Sequence, residues 1–421
     1  MKVLVNKSVA NGRVQAPSSK SYTIRGLMCA ALSGGVSAIV NPLRSDDTDA
    51  AMTVLRQIGA RISVEDILWR VSGGGFHAPD TDLYCAESAA TLRFMCAISS
   101  LVPGRCRLTA GPSLSRRPVQ PLITALRQLG VKVSCDGESP PVTVEGGGLD
   151  GGVTELPGDI SSQFISALLL VAPLAEKSVT IHLTTMPESR SYILMTLECM
   201  ERFGITVGYS GDMMEYEVTC QEYQPVDYRM EGDWSSASYL LALGALSGAV
   251  TVTNLNPSSL QGDRVLLDFL RKMGAEVEVK SDCVTVKKQK LQAIRADLTD
   301  CIDLLPTMAV LAVVADGTSE FTGIRRARLK ESDRIAAVRE GLERAGVKVI
   351  EEPDRLVIAG SMPGRATIDS HGDHRIAMAF SLMGAASGCI TIDGAECVTK
   401  TYPEFWDVLK SIGVEVQIDG K

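Results

Sequence analysis

Leu270-Arg271-Lys272-Met273-Gly274-Ala275-Glu276-Val277 reads as the last turn of a helix, a glycine and the opening of an alternating strand. The same pattern recurs at Val54–Ile62, Leu126–Val133, Met200–Val207, Leu342–Val349 and Leu409–Val416. Its glycines stand at 59, 130, 204, 274, 346 and 413, with spacings of 71, 74, 70, 72 and 67. A glycine there is a helix C-terminal cap, because it enters the left-handed region without a Cβ clash. Six copies at near-constant spacing mark an internal repeat, which ordinary α/β units without symmetry would not keep in register.

A second helix, rich in small and apolar residues, precedes each copy. Leu27–Leu32, Tyr239–Leu246, Met308–Ala315 and Ile376–Ala386 are examples, each followed by a turn and an alternating strand such as Val250-Thr251-Val252-Thr253. The repeat therefore reads β-α-β-α-β-β. Six repeats exceed what one core holds, since single cores stop growing at roughly 250–300 residues. Two lobes of three repeats each are expected, with the seam near Asp227–Gly232. The strand Val3–Val5 would complete the lobe of the last three repeats. The expected division is 1–14 plus 228–421 against 15–227, with a cleft between the lobes.

Composition limits what such a cleft serves. The 421 residues are 45% hydrophobic and 22% charged, which fits a globular chain. A net charge of −8 counts against a surface built for nucleic acid or anionic membrane, though not against a local basic pocket. Eleven cysteines without a CxxC pair suit a reducing cytoplasm. Met1–Lys7 lacks the apolar stretch of a signal peptide, and the longest apolar runs, Ala167–Ala175 and Met308–Ala315, fall short of the roughly 20 residues of a membrane span. Both read as buried helices of a soluble, cytoplasmic protein.

Candidate chemistry lies where helices start. Ala16-Pro17-Ser18-Ser19-Lys20-Ser21-Tyr22-Thr23-Ile24-Arg25 puts hydroxyls and cations where free N–H groups already favour anions, without P-loop spacing. Asp159-Ile160-Ser161-Ser162-Gln163 and Asp233-Trp234-Ser235-Ser236 open helices in the third and fourth repeats. Arg325-Arg326-Ala327-Arg328-Leu329-Lys330-Glu331-Ser332-Asp333-Arg334 packs five cations into ten residues. On a helix Lys330 and Arg334 share a face, although a charge run is more commonly a solvated surface. His371 and His374 lack an evident third metal ligand. The glycine runs at 73–75 and 146–148 read as turns. Cations at helix starts from both halves of an acidic chain imply a trap for a small, multiply anionic substrate.

Taken in order, Ser19-Lys20-Ser21…Arg25, Leu92-Arg93, Arg117-Pro118, Ser161-Ser162-Gln163, Gln261-Gly262-Asp263, Leu329–Arg334, Asp373-His374-Arg375 and Thr399-Lys400-Thr401 resemble the 5-enolpyruvylshikimate-3-phosphate synthase family along essentially the whole chain. The resemblance implies an α/β fold, a two-lobed inside-out α/β barrel of six βαβαββ repeats, with the active site in the interlobe cleft. It implies transfer of the enolpyruvyl group of phosphoenolpyruvate to the 5-hydroxyl of shikimate 3-phosphate, with no metal or organic cofactor, by a monomer with no nucleic-acid or membrane partner. Lys20 would contact both substrates and join Asp303 and Glu331 in catalysis. Ser21, Arg25, Ser161, Ser162, Gln163, Ser189, Asp303 and Lys330 would hold shikimate 3-phosphate. Ala89, Arg117, Gln163, Arg334, Arg375 and Lys400 would hold phosphoenolpyruvate. The reaction adds a proton at the methylene and removes one from the hydroxyl, so an acid (Glu331) and a base (Asp303) must coexist. Burial and neighbouring cations should pull Glu331 in opposite directions.

Two positions depart from the family pattern. In Cys85-Ala86-Glu87-Ser88-Ala89-Ala90-Thr91, Glu87 replaces an asparagine, Ala89 a glycine and Ala90 a threonine. The added methyl at Ala89 narrows the space there, which implies weak inhibition by glyphosate. Arg326 replaces an asparagine that commonly helps hold the shikimate phosphate. The related UDP-N-acetylglucosamine enolpyruvyl transferases typically start with Lys-Asn and carry a loop cysteine, whereas Lys20-Ser21 and Arg116-Arg117-Pro118 stand here. A catalytically silent anion binder would not need Asp303 and Glu331.

Overall fold

The computed structural model describes residues 1–419. The chain divides into two compact units, Met1–Pro17 with Glu231–Lys421, and Ser18–Met230. The divisions fall three residues later than the sequence places them. Asn11–Gln15 pairs with Ala249–Thr253, and the Ala16 N–H continues that ladder to the Thr253 carbonyl at 3.0 Å, so residues 15–17 stay with the first unit. Asp227–Arg229 pairs with Val36–Val40 in the second unit and keeps residues 228–230 there.

Among the described residues the twelve helices are α1 (Lys20–Leu32), α2 (Asp46–Gln57), α3 (Ala89–Ile98), α4 (Gln120–Gln128), α5 (Ser162–Val171), α6 (Arg190–Arg202), α7 (Trp234–Ser247), α8 (Leu266–Lys272), α9 (Leu305–Val314), α10 (Arg334–Arg344), α11 (His374–Ser387) and α12 (Phe405–Ser411). Odd-numbered helices form the inside of each unit. In α7 every residue but Ser235 is buried, and α9 is buried from Leu305 to Val313. A helix apolar all round must be covered on all sides. Even-numbered helices carry one apolar face and a polar one.

Among the described residues, six four-stranded sheets lie outside the helices, three per unit, each with one parallel pair and two antiparallel pairs. Their strands alternate buried and more open positions, as in Arg355–Ala359, where Leu356 and Ile358 are buried and their neighbours half-buried, so one face meets the helices and the other faces outward. Each unit is thus an α/β barrel turned inside out. The chain closes both units by lending strands across the sequence. Lys2–Val5 sits between Ile390–Asp393 and Val416–Asp419 as the last strand of the sixth repeat. Asp227–Arg229 supplies the first strand of the first repeat.

All six repeat glycines follow an even-numbered helix with positive φ, from +80° at Gly346 to +114° at Gly59. A side chain at these positions would strain the left-handed backbone, which is why the pattern repeats there.

Candidate active site

Helix starts are where the candidate residues collect, and each unit builds a different set. In the second unit, Ser19 caps α1 and accepts from the Tyr22 N–H. The next residue, Lys20, reaches Asp47 on α2 at 2.9 Å. Ser21 follows in the first turn of α1, and its carbonyl accepts from Arg25 Nη1 at 3.0 Å. Arg25 is 2% exposed. Its Nε donates to Thr196 Oγ1 at 2.7 Å and its Nη2 to the Tyr192 carbonyl at 3.0 Å. The guanidinium stacks between Phe94 and Tyr192, 5.4 and 5.9 Å from their ring centres. Arg25 therefore ties α1 to α6 besides offering charge.

Ser161 caps α5, with its hydroxyl accepting from the Gln163 N–H. The helix begins at Ser162, later than a start at Asp159 would have it, because Asp159 instead accepts from Thr185 at 2.7 Å. Arg93 on α3 draws this start together. Its Nη1 donates to Gln163 Oε1 at 2.7 Å and to Ser161 Oγ at 3.3 Å, and its guanidinium lies 5.0 Å over the Phe164 ring. Ser189, before α6, is buried with φ +53°, a backbone state uncommon outside glycine and often kept at functional positions.

Ala89 is the first residue of α3, where the leading N–H groups have no intrahelical partner. Glu87 turns to the neighbouring loop and accepts from the N–H groups of Ser113 and Leu114 at 3.0 and 2.8 Å. That loop carries the short turn Leu114–Arg116 and then Arg117, which is buried.

The first unit gathers charge instead. Asp303 lies in a short turn ahead of α9. Its Oδ1 accepts from Arg334 Nη1 at 2.6 Å and faces Lys330 Nζ at 3.4 Å, while its Oδ2 faces Arg375 Nη2 at 3.5 Å. Arg334 is 1% exposed. Its Nε donates to Asp373 Oδ2 at 2.8 Å and its Nη2 to Glu331 Oε2 at 2.5 Å. Glu331 also faces Lys400 Nζ at 3.3 Å, and Arg375 Nη1 donates to the Tyr239 hydroxyl at 3.4 Å. Asp373 caps α11 and accepts from the Arg375 N–H and Ser332 Oγ. Arg334, Lys330, Arg375 and Lys400 thus meet around the carboxylates of Asp303, Glu331 and Asp373.

Burial and charge act against each other in this set. Burial pushes Lys330 down to about 8, with Asp303 opposing and Arg334 and Arg326 adding to the fall. Arg334 is also penalised by burial, but Asp373, Glu331 and Asp303 outweigh the penalty and hold it above its ordinary value. Lys330 and Arg334 do not sit on one helix: Arg325–Leu329 is a short turn, and α10 starts at Arg334, capped by Asp333. They meet because both reach Asp303. Arg326 is buried and donates to the Thr299 carbonyl at 2.8 Å. Among the described residues, no three His, Cys, Asp or Glu side chains cluster as metal ligands, and no helix is long and apolar enough to cross a membrane.

Sequence reasoning gave no role to Arg93, Asp373, Asp47, Thr196 or Tyr239. Arg93 and Asp373 were visible as parts of quoted motifs. Asp47, Thr196 and Tyr239 carried no signal, because their partners are 27, 171 and 136 residues away in sequence.

The family model for EPSP synthase (3-phosphoshikimate 1-carboxyvinyltransferase) matches residues 5–409. A 3-phosphoshikimate 1-carboxyvinyltransferase of Dehalococcoides mccartyi is 49% identical over 418 residues, covering 99% of both chains. One from Methanothermobacter thermautotrophicus is 43% identical and covers 97% of each. The solved EPSP synthase of Acinetobacter baumannii superposes with a TM-score of 0.83 at 25% identity, over 99% of this chain and all of that one. With the reach of the match and these identities, the chain belongs to the EPSP synthase family.

Proposed function

We propose that the two residue sets divide the work of one reaction between a hydroxyl-rich anion site and a charged proton-transfer site. The reaction is that of the family: the enolpyruvyl group of phosphoenolpyruvate passes to the 5-hydroxyl of shikimate 3-phosphate and phosphate is released, in the shikimate pathway. The observation that carries the assignment is Asp303, a buried carboxylate held by Arg334, Lys330 and Arg375 in the unit that also holds Glu331.

In this reading Asp303 takes the proton of the 5-hydroxyl as the oxygen attacks the enol carbon, and Glu331 delivers one to the methylene. The pair reverses when phosphate leaves. Arg334, Arg375 and Lys400, with Arg117 and Gln163, hold phosphoenolpyruvate, while Ala89 offers a helix-start N–H. Ser21, Arg25, Ser161, Ser162, Gln163, Ser189 and Lys330 hold shikimate 3-phosphate, and Lys20 serves both substrates. Guanidinium and ammonium groups fixed before the substrates arrive stabilise developing charge without reorganising. Arg25 is fixed for this role by one bond from each of its nitrogens, to Thr196 and to the Ser21 and Tyr192 carbonyls, and still has a second N–H on each Nη for the substrate. Phosphate release from the two substrates tests the activity. Asp303→Asn tests the assignment: turnover should collapse while shikimate 3-phosphate still binds, and loss of both together would count against Asp303 as base.

A further inference from the structure

Glu87 has no part in the chemistry just described, yet its carboxylate is tied to the loop that carries Arg117. It stands two residues before α3, just after Ala86, whose φ of +49° turns the chain. Each carboxylate oxygen takes one backbone donor: Oε1 accepts from the Ser113 N–H at 3.0 Å and Oε2 from the Leu114 N–H at 2.8 Å. A carboxylate accepts on both oxygens, whereas an amide in its place offers one acceptor and one donor group. The backbone adds a further tie, as the Gly111 N–H donates to the Ala86 carbonyl at 2.8 Å. Gly111 also leaves the carboxylate its room, since a Cβ there would stand 2.5 Å from Glu87 Oε1.

The loop runs from the strand Gly104–Thr109 to the start of α4, and both of its ends are pinned. The Cys85 N–H donates to the Thr109 carbonyl at 2.9 Å, and the Val119 N–H to the Glu138 carbonyl at 2.8 Å. Between these points the chain folds on itself. The Ser115 N–H donates to the Gly111 carbonyl at 2.9 Å, and the Arg117 N–H to the Leu114 carbonyl at 3.0 Å. The Leu114 side chain is buried, and Arg117 is 7% exposed. Leu114 is therefore held by Glu87 through its N–H and holds Arg117 through its carbonyl.

We infer that Glu87 is a positioning residue for Arg117: its carboxylate fixes the turn that presents the guanidinium to the anionic substrate. The inference rests on the proposed reading that Arg117 holds phosphoenolpyruvate. The pinned ends and the buried Leu114 keep the loop in place, so removing the carboxylate loosens the turn rather than unfolding it. A loosened turn spreads Arg117 over positions that miss the substrate, and a misplacement of about 1 Å can cost on the order of a hundredfold in rate. The consequence falls on phosphoenolpyruvate and not on shikimate 3-phosphate, which other residues hold.

The test measures kcat/KM for phosphoenolpyruvate, with shikimate 3-phosphate saturating, in the parent, in Glu87→Gln and in Gly111→Ala. The first sets a donor against one of the two N–H groups. The second leaves Glu87 in the chain and displaces its carboxylate with a methyl, so it carries the same prediction should Glu87→Gln not fold. Each should lower kcat/KM by roughly ten- to hundredfold, while the dissociation constant for shikimate 3-phosphate stays at the parent value. Combined with Arg117→Ala, either change should add nothing, because a residue acting through another loses its effect when that other is gone. Parent-like kcat/KM in both variants, additive effects in the combinations, or loss of both substrates in step overturns the inference. Arg117→Ala alone keeps the two readings apart. A parent-like value there removes Arg117 from the phosphoenolpyruvate site, whereas a large fall there with parent-like Glu87→Gln and Gly111→Ala removes only the role of Glu87.

Discussion

The same repeat builds two helix-start environments of opposite character. In the unit Ser18–Met230 the inner helices begin after Ser19, Ser88 and Ser161. In the other unit the corresponding residues are Asp233, Asp303 and Asp373, seventy apart each time. Asp233 and Asp373 are N-caps, and Asp303 lies in the turn leading into α9. A serine satisfies backbone N–H groups without cancelling the positive end of the helix, so the start stays attractive to an anion. An aspartate cancels it and can gather cations, as Asp373 and Asp303 do with Arg334. One change of residue type at the same place in the repeat separates a hydroxyl-capped set of helix starts from a charge-rich one.

That contrast can be broken. Asp303→Asn should lower turnover by roughly a hundred- to ten-thousandfold, the range for losing a positioned base, measured by phosphate release. No single serine cap should approach this. Asp373→Ala takes from the buried Arg334 guanidinium one of its three carboxylate partners and from α11 its cap, and should cost about 3–5 kcal/mol by denaturant unfolding. Ser161→Ala, a cap in the other unit, should cost about 1 kcal/mol. If the two costs match, the caps are interchangeable and the comparison fails.

Smaller effects sharpen it. At the serine-capped start of α3, the Ala89 methyl leaves less room than a glycine, so glyphosate should inhibit weakly and Ala89→Gly should strengthen inhibition. An inhibition constant unmoved by that change would show that the methyl is not the obstacle. In the charged unit, Lys330 has a folded-state value below that of the unfolded chain. Keeping it charged therefore costs stability at pH below about 8, and its charge is lost as pH rises through that value. The Michaelis constant for shikimate 3-phosphate should climb above pH 8, and Lys330→Arg should flatten the climb.

Much of the scaffold was legible because its causes are local. A helix that must end in a left-handed residue asks for glycine, and six such glycines at even spacing announce six repeats before any contact is known. Helices apolar on every side announced themselves as interior. The strand exchange was legible in part: Val3–Val5 had no neighbour to pair with nearby in sequence. The division points were not, since they depend on which hydrogen bonds Ala16 and Asp227–Arg229 make with distant strands. The run from Arg325 to Arg334 read as a helix with Lys330 and Arg334 on one face, or else as a solvated basic surface, and its structure as a turn followed by a capped helix was invisible. Arg325 and Leu329 stay exposed while Arg326 and Arg334 are buried.

By itself, the sequence determined the repeat, its interior and surface faces, and the kinds of groups available at the helix starts. Those properties follow from residue size, polarity and backbone freedom, which each residue carries wherever it is placed. Only the tertiary structure decided which charges meet. Arg334 is drawn to Asp303 and Asp373, 31 and 39 residues away, and Arg25 to Thr196, 171 away, because separation in space, not along the chain, sets an electrostatic or hydrogen-bond energy.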